Sequence, residues 1–136
     1  MKIFLIGSGN VATQLGKAFK RAGHKIVFIY SPNFFHAASL GNELNTSFGK
    51  TLNAVSEFPA DVYIIAVKDD VISEVVKNLP ALKNSLVIHT SGATDISVLK
   101  KKFKNCGVLW QVQTIKARTK VDFEKVARDV YKDIGH

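Results

Sequence analysis

The first twelve residues constrain this chain more than any other stretch. Met1-Lys2-Ile3-Phe4-Leu5-Ile6 is an apolar run without alternation, as expected of a parallel strand covered on both faces. It breaks at Gly7-Ser8-Gly9, and a helical pattern starts at once with Asn10-Val11-Ala12. Each small residue of this Gly-x-Gly-x-x-Ala spacing has a physical task. Gly7 lets the chain turn sharply out of the strand. Gly9 has no Cβ, so a phosphate can approach the backbone. Ala12 is small enough for the helix to pack on the strand. A strand, this spacing and a helix in succession form a dinucleotide-binding fingerprint. The free N–H groups and positive dipole end of the new helix then face a pyrophosphate.

The length of 136 residues suits one domain and is short for a whole dehydrogenase. A lone Cys106 excludes a disulfide within the chain and fits a reducing, cytoplasmic setting. One lysine before a short apolar strand is not a signal peptide, and no apolar run approaches the roughly 20 residues of a membrane span. No membrane partner is expected. The net charge of +8 invites a nucleic-acid reading, but it is spread over both halves. Its densest piece, Lys100-Lys101-Lys102-Phe103-Lys104, closes a predicted helix, where cations suit the dipole. No basic stripe is interleaved with stacking aromatics, so no nucleic-acid partner is expected either.

Strands and helices then alternate. A helix over 10–22 turns Val11, Leu15, Ala18 and Phe19 inward and ends at Gly23. Lys25–Tyr30 is a second buried strand, and a helix follows over 35–44, weakened at Gly41. Residues 49–51 suggest a short third strand, and Asn53 a cap for a helical turn over 54–58. Asp61–Val67 is a strong buried strand. Asp70 is expected to cap the next helix, with Val71, Ile72, Val75, Val76 and Leu79 inward and Pro80 at its end. Ser85–His89 is another strand, followed by a helix that Asp95 caps, and Gly107–Trp110 is a sixth. Asp122–Ile134 reads as a last amphipathic helix. The fold class is therefore α/β, a Rossmann-type doubly wound, mainly parallel sheet with helices on both faces. Residues 1–120 form the dinucleotide-binding domain, and 121–136 a carboxy-terminal helix.

In such a sheet, ligands lie beyond the carboxyl ends of the strands. The cofactor-binding candidates are accordingly Gly7, Ser8, Gly9, Asn10, Val11, Ser31, Asn33, Val67, Lys68, Thr90, Gly92 and Gln113. An Asp or Glu after the second strand would bind the ribose 2′-hydroxyl of NAD. Here that place reads Tyr30-Ser31-Pro32-Asn33. The missing acid removes repulsion against a 2′-phosphate, and Ser31 and Asn33 offer donors to it, so NADP is expected over NAD. The other reading of these residues is an ordinary turn. His89 and Ser91 are the catalytic candidates. His89 has a pKa suited to proton transfer as hydride reaches a carbonyl or imine, or else is bonded to structure beneath the nicotinamide. Ser91 is a donor to substrate or a helix-entry residue. Gln113 serves the nicotinamide carboxamide or its own loop. No metal-ligand spacing occurs among the four histidines and the one cysteine.

Gly7-Ser8-Gly9-Asn10-Val11-Ala12, Ala66-Val67-Lys68-Asp69-Asp70, His89-Thr90-Ser91-Gly92-Ala93, and Gly107-Val108-Leu109-Trp110 with Gln113-Thr114 resemble a bacterial family of NADP oxidoreductases. The resemblance runs to about Phe123. It implies relatedness to pyrroline-5-carboxylate reductase and to deazaflavin-dependent NADP reductase, with hydride transfer on a small-molecule substrate. A non-catalytic NADP(H)-binding regulatory module is the alternative. Two places depart from the family pattern: Pro32 stands where an Arg is usual, and Gln111 where a Pro is usual. Family members carry a helical carboxy-terminal domain that helps build the substrate site and a homodimer. This chain has little of it, so it is either a fragment of a longer protein or unable to close its own active site.

Overall fold

The computed structural model describes residues 1–110 and 114–115. Its strands are β1 (Lys2–Ile6), β2 (Lys25–Tyr30), β3 (Phe48–Gly49), β4 (Val62–Ile65), β5 (Leu86–His89), β6 (Asn105–Trp110) and β7 (Thr114–Ile115). The helices are α1 (Asn10–Arg21), α2 (Phe34–Leu44), α3 (Ile72–Asn78) and α4 (Ser97–Lys100), with 3-10 turns at Leu52–Ser56 and Asp69–Val71. The strand order is β3-β2-β1-β4-β5-β6-β7. All pairs from β3 to β6 are parallel, and β7 returns antiparallel on β6. This is the doubly wound Rossmann order, which reverses direction beside β1.

Alternation along β1 sorts the core into two layers. Ile3 and Leu5 pack with Leu15, Phe19, Leu40 and Leu44 beneath α1 and α2. Phe4 and Ile6 pack with Phe28, Tyr63, Ile72 and Val76 on the side of α3. Every residue of Ile3–Ile6 is at most 1% exposed, which explains the unbroken apolar run. Burying each such side chain contributes about 1.5–3 kcal/mol. Ala12, in the first turn of α1, is fully buried, as its place in the motif requires. Gly41 sits mid-helix because a Cβ there would lie 2.3 Å from the Phe48 ring.

Several expectations need correction. Val11 is 48% exposed rather than inward: the face that α1 buries starts at Ala12 and runs through Leu15, Gly16, Ala18 and Phe19. Val71 is 38% exposed because it belongs to a 3-10 turn, whose three-residue period breaks phase with α3. Neither Asn53 nor Asp70 caps a helix. Thr51 and Lys68 hold the extended conformation that a cap requires, and Asn53 and Asp70 fall inside the turns. The third strand lies at Phe48–Gly49, and β7 was not foreseen. Asp95 does serve the start of α4, where its Oδ2 accepts from the Ser97 amide (3.2 Å), although Ile96 is the capping position. The basic run is partly engaged: Lys102 Nζ donates to the Val76 carbonyl (2.7 Å) at the end of α3. Gln113 and the helix expected over 122–134 lie outside the described residues.

Candidate functional site

The carboxyl ends of β1, β2, β4 and β5 share one edge, and backbone bonds lock them together. The Gly7 amide donates to the Tyr30 carbonyl (2.7 Å), and the Ala66 amide to that of Ile6 (2.8 Å). The Thr90 amide reaches the Ile65 carbonyl (3.3 Å). Gly7 itself has φ +126°, and a Cβ on it would lie 2.1 Å from the Ala66 oxygen. Only glycine fits that turn. Side chains add a second tie: Ser8 Oγ donates to Ser31 Oγ (2.8 Å), which also accepts from the Asn33 amide (3.2 Å). Ser31 is only 4% exposed, so the turn after β1 and the end of β2 are one rigid unit.

Gly9 is different from Gly7. Its φ of −80° is open to any residue, and a Cβ built on it meets nothing within 4 Å. Neither conformation nor packing within the chain calls for glycine there. It is the N-cap of α1, with no side-chain capping bond and no acidic residue in the first turn. The first hydrogen bond of α1 runs from the Thr13 amide to the Gly9 carbonyl (2.9 Å). The amides of Asn10, Val11 and Ala12 precede it and have no intrahelical partner. A glycine with open space before it, at an uncapped helix N-terminus, fits the close approach of a pyrophosphate.

Across the edge, Val67 is half-buried and Lys68 exposed after β4, while Gly92 is exposed after β5. Asn33 is turned toward its own helix, where Oδ1 accepts from the His36 amide (3.1 Å) and caps α2. Lys50 was not among the residues the sequence singled out. It follows β3, whose Gly49 carbonyl accepts from the Ser31 amide (3.1 Å), and this pairing alone brings it to the site.

Ser91 closes its own turn, and His89 lies against it. Ser91 Oγ accepts from the amides of Ala93 (3.2 Å) and Thr94 (3.1 Å) and donates to Thr94 Oγ1 (3.0 Å). These bonds use its two lone pairs and its proton. The Ser91 amide donates to His89 Nδ1 (3.0 Å), so the neutral imidazole carries its proton on Nε2. His89 is fully buried, and its Nε2 has no hydrogen-bond partner among the described residues. Burial pushes its pKa below the ordinary histidine value, against the opposing pull of the Asp95 and Thr94 backbone and of the Asp69 and Asp95 charges.

A depression of about 950 Å³ lies at the opposite, amino end of the strands, beside Lys2, Lys20, His24, Lys25 and Glu57. Two of the basic groups around it answer the chain's own atoms. Lys20 Nζ donates to the Leu44 carbonyl at the end of α2, and the Met1 amine donates to His24 Nδ1 (2.9 Å). Helix C-termini point there, and their dipoles repel anions. The glycine edge, with its bare amides, is therefore the candidate site rather than this hollow.

Residues 2–92 match the profile of the family described as NADP oxidoreductase, coenzyme F420-dependent. The chain belongs to this family. Among solved structures, it is similar to a Bacteroides fragilis protein described as an NADP oxidoreductase, at 26% identity and a TM-score of 0.79, over 96% of this chain and 56% of that one. It has the same fold as 1-pyrroline-5-carboxylate reductase from Streptococcus pyogenes (17% identity, TM-score 0.76, 99% of this chain and 56% of that one). Prephenate dehydrogenase from Aquifex aeolicus, solved with hydroxyphenyl propionate and NAD+, also shares it (15%, TM-score 0.73, 99% and 57%). No curated protein sequence matches the chain. The chain thus spans little more than half the length of these neighbours. Its family is of the pyridine-nucleotide oxidoreductase type, and its fold is the Rossmann nucleotide-binding one. Among the described residues, no helix is long and apolar enough to cross a membrane, and no group of three His, Cys, Asp or Glu residues is arranged to hold a metal.

Proposed function

We propose that this chain is the cofactor-binding part of an NADP-dependent oxidoreductase acting on a small carbonyl, imine or hydroxy compound. Gly9 carries the reading. Its missing Cβ serves no packing or backbone need of the chain, and it opens the space a pyrophosphate would fill before the bare amides of α1. Gly7, Ser8 and Ser31 hold that turn rigid. Val67 and Lys68 border the adenosine side, and Thr90 and Gly92 the nicotinamide side. NADP is favoured over NAD because no carboxylate stands after Tyr30 to meet a ribose diol.

When bound, the nicotinamide supplies or accepts the hydride. The residues of this chain orient it and exclude water around it. Ser91 and His89 act as positioning residues. Ser91 has spent its hydrogen-bonding capacity within its turn, and the proton on His89 Nε2 is sealed from solvent. The proton that accompanies the hydride comes from another group. We assign that group, the substrate wall and the homodimer contact to the part of the longer neighbours that this chain does not span.

The test is calorimetric titration of the chain with NADPH and NADH, beside Gly9→Trp. Tighter binding of NADPH, lost in Gly9→Trp, is the expected result. Binding that survives Gly9→Trp, or no binding of either nucleotide, overturns the reading. Binding without turnover in the full-length protein, across carbonyl and imine substrates, would favour a regulatory module instead.

A further inference from the structure

The NADP reading leaves a chemical gap. A 2′-phosphate carries close to two negative charges, and hydroxyl donors alone are a weak answer to it. Tyr30-Ser31-Pro32-Asn33-Phe34-Phe35 contains no cation, and Pro32 fixes the backbone where a basic side chain would reach outward. Of the two donors the sequence suggested, Ser31 is nearly buried, and Asn33, whose Oδ1 accepts from the His36 amide, offers only its neutral Nδ2 group.

We propose that Lys50, arriving on the neighbouring strand, is the residue that selects the 2′-phosphate. This rests on the dinucleotide reading above. Three observations carry it. First, β3 pairs with β2 in parallel, with Tyr30 opposite Gly49, and the Ser31 amide bonds the Gly49 carbonyl (3.1 Å). Ser31 and Lys50 are therefore the residues that emerge together from adjacent strand ends. Adjacent strands lie about 5 Å apart, within reach of a lysine side chain, whereas the end of β4, with Lys68, is two strands and about 10 Å from β2. Second, Lys50 is exposed, and among the described residues the ion pair recorded is Lys17 with Glu43, so no carboxylate neutralises Lys50. Third, the backbone beneath it is held in place. Phe34 packs on Phe48 (ring centroids 5.8 Å apart), and a Cβ at Gly41 would strike the same Phe48 ring, so the two-residue strand is pinned under α2. The cation is thus carried on a fixed strand end, as a selective contact requires.

The experiment measures dissociation constants for NADPH and NADH on the 136-residue chain and on Lys50→Ala, Lys50→Arg and Lys68→Ala. Lys50→Ala is expected to weaken NADPH about fivefold to tenfold and to leave NADH within twofold, since NADH has no phosphate there. Lys50→Arg keeps the preference. Lys68→Ala weakens both nucleotides alike, and added salt narrows the NADPH preference of the parent chain but not of Lys50→Ala. An equal loss of both nucleotides in Lys50→Ala, or no loss, overturns the assignment while the dinucleotide reading stands. A parent chain that prefers NADH also overturns it. A parent chain that binds neither nucleotide removes the dinucleotide reading itself, and the role of Lys50 with it.

Discussion

The turns after β1 and β5 leave the same edge of one sheet, yet they are built in opposite ways. After β5, polar groups look inward: Ser91 uses both lone pairs and its proton, and the Ser91 amide closes on His89. After β1, they look outward. The helix is uncapped, its first amides lack intrahelical partners, and Gly9 faces open space. A turn that satisfies its own hydrogen bonds stabilises the fold. A turn that leaves them unmet spends stability on a ligand. The position of a residue at a strand end therefore says that it is near the site, and the state of its hydrogen bonds says whether it is available to act there.

The sharpest way to break this contrast is within the glycine turn itself. Gly7→Ala places a Cβ against the Ala66 carbonyl oxygen at a φ of +126°, and should cost about 3 kcal/mol or more, read as a fall in the urea midpoint. Gly9→Trp should lose nucleotide binding with its midpoint nearly unchanged. If both glycines proved equally important for stability, Gly9 would be structural and the outward character of this turn would be lost.

The β5 turn should respond the other way. Ser91→Ala leaves the Ala93 and Thr94 amides without their acceptor, and should cost roughly 1–2 kcal/mol while NADPH affinity stays within about threefold. A large loss of affinity at unchanged stability would restore Ser91 as a ligand-facing group.

His89 adds a pH signature. Its folded pKa is lowered, so the unfolded chain binds the proton more readily. The stability from the neutral imidazole is complete above the ordinary histidine value of about 6.5, and is lost as pH falls through the lowered folded value. The slope is at most about 1.4 kcal/mol per pH unit for one proton. His89→Asn keeps an acceptor for the Ser91 amide and should flatten the unfolding profile between about pH 7 and 5. His24, lowered by burial and by the Met1 amine, contributes in the same direction, so His24→Gln is the companion control. A profile unchanged in His89→Asn would mean that protonation of this ring does not differ between folded and unfolded chains.

The smallest effect is expected away from both turns. Lys17 and Glu43 join α1 to α2 at 3.0 Å, with side chains 45% and 47% exposed. Lys17→Ala should change stability by no more than about 0.5 kcal/mol and leave nucleotide affinity unaltered, which sets the scale for the other variants.

The sequence by itself determined the strand-turn-helix opening, the buried strands and the Rossmann class. These follow from local periodicity, and a fully buried strand such as Ile3–Ile6 admits no other pattern. It also located the glycine turn, because the spacing Gly7-x-Gly9-x-x-Ala12 encodes backbone geometry directly. Phase was legible inside the helices, including the short α3, and not at their first turns. Val11 and Val71 were misplaced because the buried face of α1 begins only at Ala12 and a 3-10 turn has its own period. Three matters were decided only by the tertiary structure. The Ser8–Ser31 bond joins residues 23 apart in the chain, β3 sets Lys50 beside Ser31, and the hydroxyl of Ser91 is consumed within its own turn while the Ser91 amide engages His89 Nδ1. Each depends on which strand ends lie side by side and where each hydrogen bond goes, and the pairing of distant strands is not written in the local pattern of either one.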